Sequence, residues 1–308
     1  MSKVIVTGGL GFIGSNIVDL LVEKGYEVII VDNLSTGSKK NMNRSAKLYC
    51  KDICNEDLRN IFKKEKPEYV VHEAAQINVR KSVDDPLFDA GVNVLGSINL
   101  LECCRETRVK KVVYASSGGA IYGEPAYLPA DEKHAIRPLC PYGASKYSVE
   151  NYLYIYKKNY GIDYVSLRYA NVYGPRQDPQ GEAGVISIFM NKLLGKISPI
   201  IYGDGEQTRD FVYVRDVASA NIKALETDTK STEYNIGTGV ETSVNKLFEK
   251  IREATGATES AFHGKAVVGE VRRICLNIKL AEKELGWKPE TTLDAGIKET
   301  VDWFTARA

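Results

Sequence analysis

TGGLGFIG, residues 7–14, governs how the rest of the chain is read. It directly follows a short β-branched run, KVIVT (3–7), and opens a helical pattern at about 12–24. Gly8, Gly11 and Gly14 have the spacing TGxxGxxG, while Gly9, Gly11 and Gly14 also satisfy GxGxxG. Such a turn lets backbone approach a pyrophosphate, and the helix N-terminus beyond it supplies unpaired N–H groups and a positive dipole. A glycine-rich tight turn without a ligand has the same pattern, so the next elements decide between the two. Asp32 closes a second run, EVIIVD (27–32), where a carboxylate accepts hydrogen bonds from adenosine ribose hydroxyls. It would repel a 2′-phosphate, and no arginine follows at 33–37, so the expected cofactor is NAD rather than NADP. Asp52, ending the third run, either faces the adenine or caps a helix.

Outward from this turn, β-branched runs alternate with helical patterns up to about residue 175. The further runs are AKLYC (46–50), EYVVHEA (68–74), KKVVYAS (110–116) and DYVSLRY (163–169), and the helical patterns lie at about 55–65, 86–107 and 142–160. That alternation predicts a parallel sheet covered on both faces. After Pro175 come a polar loop (176–183), a helix near 185–195, the segment IIYGDGEQTRDFVYVRD, and helical stretches near 243–255 and 279–305. The expected fold is α/β: a doubly wound parallel-sheet domain over 1–180, with some later segments returning to it, and a smaller, interleaved α/β substrate domain over 181–308.

Forty-one basic residues against forty acidic ones give a net charge of +1, so neither nucleic acid nor an anionic membrane is an expected partner. MSKVIVTGG lacks the apolar segment of a signal peptide, and no stretch reads as a membrane span; a cytoplasmic protein is expected. The six cysteines have no histidines in a metal-ligand pattern beside them and read as reduced, mostly packed thiols, with no metal site.

CPYGASKYSV (140–149) places Tyr142 and Lys146 four apart on a helix that starts after the fifth strand. A tyrosine titrates near 10, so half-ionisation at neutral pH requires roughly 4 kcal/mol. An ammonium about 4 Å away contributes on the order of 4 kcal/mol at an effective dielectric of about 20. Lysine, the helix N-terminus and an oxidised nicotinamide together would make Tyr142 a base able to take a proton from an alcohol. Tyr154 and Lys158 repeat the spacing but read as an ordinary surface pair. Position separates the two, since ligands of open sheets bind at the carboxyl ends of strands.

With DNLSTG (32–37), HEAAQ (72–76), SSGGAIYGEP (116–125), LRYANVYGPRQ (167–177) and YGDGEQTRDFVYVRDV (202–217) added, nearly the whole chain resembles the extended short-chain dehydrogenase/reductase superfamily, and within it the UDP-glucose 4-epimerase (UDP-galactose 4-epimerase) family. The resemblance implies a Rossmann domain with retained NAD, an epimerase acting at C4 of a UDP-hexose through a 4-keto sugar, and a homodimer formed through the helices near 86–107 and 142–160. It implies Tyr142 as base, Lys146 as its partner and a holder of the nicotinamide ribose, and a cofactor shell of Gly8, Gly11, Phe12, Ile13, Gly14, Asp32, Asn33, Ser35, Thr36, Gly37, Asp52, Ile53, Ala74, Ala75, Gln76 and Tyr169. Asn171, Tyr202, Arg209 and Glu270 match nucleotide-sugar positions, and Arg272 is a further diphosphate candidate. Guanidinium suits a diphosphate because it binds bidentately; a salt bridge of Arg209 to Asp204 or Asp210 is the alternative. His72 reads as a hydrogen-bonded strand-end residue.

Three positions depart from the family pattern. The hydroxyl expected four residues before Tyr122 falls on Gly118, leaving Ser117, by a turn of the loop, or a water as the substitute catalytic hydroxyl. An expected arginine is Val267, for which Arg272 or Arg273 compensates, and the position gating the sugar's C2 substituent is Ile274, of intermediate bulk. UDP-N-acetylhexosamine or UDP-uronate epimerisation therefore stays open, as does a non-catalytic dinucleotide binder. Dehydratases and decarboxylases of nucleotide-sugars carry a glutamate two before the tyrosine, often after an aspartate; Gly119 and Ala120 here argue against elimination.

Overall fold

In the computed structural model, which describes residues 2–179, 184–266 and 271–306, KVIVT forms β1 (Lys3–Thr7), and its alternate side chains enter two cores. Val4 and Val6 pack with Ile17, Val18 and Leu21 of the helix Phe12–Glu23, whereas Ile5 packs with Leu58 and Phe62 of the helix Asp57–Glu65 and with Leu100 and Leu101 of the helix Pro86–Thr107. Burial on both faces explains why the run is continuously apolar.

β2 (Glu27–Asp32), β3 (Lys47–Cys50), β4 (Tyr69–His72), β5 (Lys111–Ser117) and β6 (Asp163–Tyr169) follow, then β7 (Asn171–Tyr173), β8 (Ile200–Tyr202), β9 (Thr208–Tyr213), β10 (Glu233–Ile236), β11 (Glu241–Ser243) and β12 (Phe262–Gly264). The large sheet has seven strands in the order β10-β6-β5-β4-β1-β2-β3, all paired in parallel. The chain runs from β1 to β2 and β3 on one side, then crosses to β4 on the other, so the crevice lies at the carboxyl ends of β1 and β4. The fold is the expected doubly wound Rossmann type with a smaller α/β part. In the latter, β9 pairs with β7 and β11, β12 pairs with β8, and a separate core joins Phe189, Phe211, Leu247, Phe248 and Ile297.

Several elements differ from expectation. The helix Val214–Glu226 was not among the sequence expectations, although Val214, Val217, Ala218, Asn221, Ile222 and Leu225 give it a buried stripe at helical spacing. The strand after it, β10, returns to the large sheet beside β6. The stretch 279–305 is two helices, Lys279–Glu284 and Leu293–Thr305, parted at Gly286 with φ +59. The helix Pro86–Thr107 is, by length and composition, apolar enough to cross a membrane, contrary to the sequence reading; 44% of its apolar window is buried inside the fold. Cys103, Cys104 and Cys275 are buried and Cys50 and Cys54 exposed, all as free thiols, and no cluster of metal ligands occurs among the described residues.

Candidate active site

The glycine turn is shaped by close approach. Gly8 has φ +66, and a Cβ on it would lie 2.8 Å from the Ala74 nitrogen; on Gly14 a Cβ would lie 2.2 Å from the Gly8 carbonyl oxygen. Gly11 N–H donates to the Gly8 carbonyl (3.0 Å), and the helix begins at Phe12. Side chains at these glycines would push apart the backbone segments that form the turn a pyrophosphate needs. Asp32 is fixed beside it: its carboxylate accepts from the backbone N–H groups of Leu10 (2.9 Å) and Leu34 (2.8 Å), and Gly37 packs against its oxygens. Asp52 holds the next turn by accepting from Cys54 N–H (2.8 Å) and Asn33 Nδ2 (2.7 Å).

These groups line one cleft of about 890 Å³. It contains Gly8, Gly11, Phe12, Ile13, Gly14, Asp32, Asn33, Ser35, Thr36, Asp52, Ile53, Ala74, Ala75, Tyr142, Lys146 and Tyr169. Two members of the expected cofactor shell stand apart. Gly37 backs Asp32, and Gln76 turns its amide to Asp89 (2.8 Å) behind the wall. The glycine cradle and ribose carboxylate fit NAD, which when bound supplies a reversible acceptor for hydride.

Tyr142 follows Pro141 at the start of the helix Pro141–Tyr160, whose N-terminus meets the carboxyl end of β5. One turn on, Lys146 is buried; its ammonium donates to the Ala115 carbonyl (2.8 Å) and lies 5.9 Å from the centre of the Tyr142 ring. Tyr154 is exposed, and the Lys158 ammonium rests 5.5 Å from its ring centre, the surface pair expected. His72 is buried behind the cleft between Thr7 Oγ1 (2.7 Å) and Ser97 Oγ (2.8 Å). Burial, and secondarily the Lys146 ammonium, push its ring down to about 3, so it stays neutral.

A second cleft, of about 840 Å³, opens from the same place toward the smaller core. Both clefts share Phe12, Ile13, Ile77, Ser116, Tyr142 and Tyr169, and the second adds Ser117, Asn171 and Phe211. Tyr202, Arg209 and Arg272 line neither. Thr208 N–H donates to the Arg272 carbonyl (3.0 Å), which brings that strand beside β9, and Arg272 pairs bidentately with Asp204 (2.7 and 2.8 Å). That pair holds the Asp204 carboxyl down at about 2. Asp210 instead accepts from Thr238, Gly239 and Leu276 backbone N–H groups. Arg273 pairs with Glu241, and Ile274 is buried with Ile121, Tyr122 and Leu276. Glu270 and Val267 lie outside the described residues.

The serine loop explains one departure. A Cβ on Gly118 would sit 2.6 Å from Leu276 Cδ1 and 3.1 Å from the Arg168 carbonyl oxygen, in a closed space, whereas Ser117 lines the second cleft. A hydroxyl at position 118 would point into the wall. Position 119 faces Asn171 and Ser117 across open space, and no carboxylate stands there. Two cleft residues escaped the sequence reading. Ser116 is buried with its Oγ unpartnered and lines both clefts. Glu73 lines the first cleft and accepts from the Tyr169 hydroxyl (2.8 Å). A charged residue directly after the apolar strand YVVH was the available signal for it.

Comparison with known proteins agrees with this geometry. A Methanocaldococcus jannaschii protein provisionally named UDP-glucose 4-epimerase is 57% identical over 98% of each chain. The UDP-glucose 4-epimerase of Thermotoga maritima, solved with UDP-glucose, superposes with a TM-score of 0.97 at 46% identity over 99% of both chains. The Thermus thermophilus UDP-glucose 4-epimerase, solved with NAD, gives a TM-score of 0.94 at 42% identity, covering 99% of this chain and 100% of that one. The model of the NAD dependent epimerase/dehydratase family matches residues 4–237, and the chain belongs to that family.

Proposed function

We propose that the protein is an NAD-dependent isomerase that inverts C4 of a UDP-hexose, interconverting UDP-glucose and UDP-galactose. The observation that carries this reading is the position of Tyr142 where the two clefts meet: the first has the dinucleotide cradle, and the second is free for a sugar. Tyr142 takes the proton from the sugar 4-hydroxyl, and Lys146 stabilises the phenolate that does so. Ser117, which lines the second cleft with Tyr142, shares the same hydroxyl. With the C4 hydride passing to the acceptor that bound NAD would supply, the sugar is left as its 4-keto form; this turns over, and Tyr142 returns the proton as the same hydride comes back to the other face of C4. The net reaction is redox-neutral. Asn171 supports the sugar-nucleotide from the second cleft, while Tyr202, Arg209 and Arg272 recruit its uridine and diphosphate, Arg272 exchanging Asp204 for phosphate. The lack of a carboxylate at Gly119 and Ala120, where eliminating relatives carry an aspartate and a glutamate, favours epimerisation.

Residues 1–180 would form the main cofactor domain and 181–308 mainly the substrate domain, in a cytoplasmic protein. Leu87, Leu95 and Tyr154, 84%, 65% and 54% exposed on the helices Pro86–Thr107 and Pro141–Tyr160, support a homodimer through those helices. Light scattering is expected to give twice the chain mass.

The test is NMR of the purified protein with UDP-galactose and no added NAD. UDP-glucose should form until the epimer ratio is constant, and Tyr142→Phe should abolish this while keeping bound cofactor. Full turnover in that variant would sink the mechanism.

A further inference from the structure

Glu73 stands at the carboxyl end of β4, one residue past the strand, where the sheet opens into the first cleft. Its surroundings commit the neighbouring donors. Asn221 Nδ2, on the helix Val214–Glu226, donates to the Tyr169 hydroxyl at 2.7 Å, which leaves that hydroxyl's own proton for the Glu73 carboxylate at 2.8 Å. Tyr169 therefore presents no free donor to the cleft; what reaches the cleft is the acidic group behind it. Burial raises the Glu73 carboxyl to about 7, against the lowering effects of the Tyr169 hydrogen bond and then the Lys146 ammonium. The other titratable groups around it are His72 at the end of β4, held neutral, the Tyr114 phenol on β5, Tyr169 on β6 and Tyr142 on the helix Pro141–Tyr160. Burial pushes the phenols of Tyr114 and Tyr169 well above their ordinary range, so both remain uncharged. Of these neighbours, Lys146 alone carries a lasting charge.

Glu73 lines the first cleft and not the second, so its carboxyl stands on the cofactor's side of Tyr142, away from the sugar's proton. Its effect is electrostatic. Oxidised nicotinamide is a cation and reduced nicotinamide is neutral, so a nearby carboxylate favours the oxidised form. We propose that Glu73 is a tuning residue for the cofactor: its carboxylate, held by Tyr169 and Asn221, biases the bound nicotinamide toward the oxidised state. The enzyme thereby tends to give hydride back to the sugar and not to retain it. This inference rests on the NAD-dependent reading above.

The holoenzyme is equilibrated with an equimolar mixture of NAD and NADH until exchange is complete, and the ratio of the two bound forms is measured by extraction. Glu73→Gln, which keeps an acceptor for Tyr169, should shift that ratio toward the reduced form on the order of tenfold, the size of effect that removing one charge across a cleft has at an effective dielectric of about 20. Glu73→Asp, which keeps the charge, should lie close to the wild type. The difference between Glu73→Gln and wild type should be largest above pH 8 and shrink as pH falls through and below about 7, because the wild-type carboxyl then protonates. An unchanged ratio in Glu73→Gln, or equal shifts in both variants, would overturn the proposal while leaving the epimerase reading intact. Failure of the wild type to bind either cofactor would instead remove the reading on which it rests.

Discussion

Glu150→Leu tests whether the catalytic helix is anchored by charge. Glu150 lies two turns into the helix Pro141–Tyr160, and its carboxylate accepts from Arg168 Nε (3.1 Å) and Nη2 (2.7 Å) on β6. Both side chains are 4% exposed. Arg168 also donates from Nη1 to the Tyr122 hydroxyl (3.0 Å), which in turn donates to Asn235 Oδ1 (2.8 Å) on β10. The leucine leaves a guanidinium buried with its main counter-charge gone, a loss of about 3–5 kcal/mol. For a chain of this size each kcal/mol moves the thermal midpoint by roughly 2 °C, so a fall of about 6–10 °C is expected. The assay is thermal unfolding by circular dichroism of wild type, Glu150→Leu, Arg168→Met and the double variant. The double variant should recover most of the loss, because it removes the second charge from the interior as well. A drop below about 1 kcal/mol in the single variants, or a double variant as unstable as their sum, would refute the argument.

Ser117→Ala should lower kcat on the order of 100-fold while leaving bound cofactor unchanged, as loss of one polar contact to the reacting oxygen does. Adding Gly118→Ser to it should not restore activity, since that side chain would meet Leu276 and the Arg168 carbonyl; recovery would show that the hydroxyl belongs at 118. The neutral His72 ring, held near 3 in the fold, is matched by an unfolded chain that takes up a proton near 6.5. Stability should therefore fall as pH drops from about 6.5 toward 3, by up to about 1.4 kcal/mol per unit, and His72→Gln should flatten that part of the melting-temperature profile. Gly14→Ala should yield protein that retains no nicotinamide after purification, because its Cβ would lie 2.2 Å from the Gly8 oxygen; normal cofactor content would contradict the cradle.

Much of the molecule was legible because the signals were local. β-branched runs buried on both faces marked the parallel strands, the glycine spacing placed the cradle, and Asp32 followed at the end of β2. Tyr142 and Lys146 were separable from Tyr154 and Lys158 only through their place after β5. What escaped depends on contacts between distant segments. Nothing local tells that Gly118 faces Leu276, or that Gln76 turns from the cleft to Asp89. Tyr169 was read as a cofactor contact, but its partnership with Glu73 and Asn221 joins residues 96 and 52 positions away. The helix Val214–Glu226 has its apolar stripe of Val214, Val217, Ile222 and Leu225 directly after the apolar strand FVY, so the two ran together in the sequence, and β10 behind them was passed over as well.

Tyr169 ends β6 in the large sheet and Asn171 begins β7 in the small one, so a single residue, Ala170, separates the two sheets, and its N–H is tied to the Ile236 carbonyl at 2.8 Å. There is no slack in this joint. A swing of one cleft wall against the other at this point would have to break the Ala170–Ile236 hydrogen bond and turn about one residue at the end of β6. An epimerase must offer both faces of the same carbon to one fixed reductant. On the proposed reading, the part left to turn at this joint is the sugar, with the cradle and the second cleft held side by side by one strand-to-strand step.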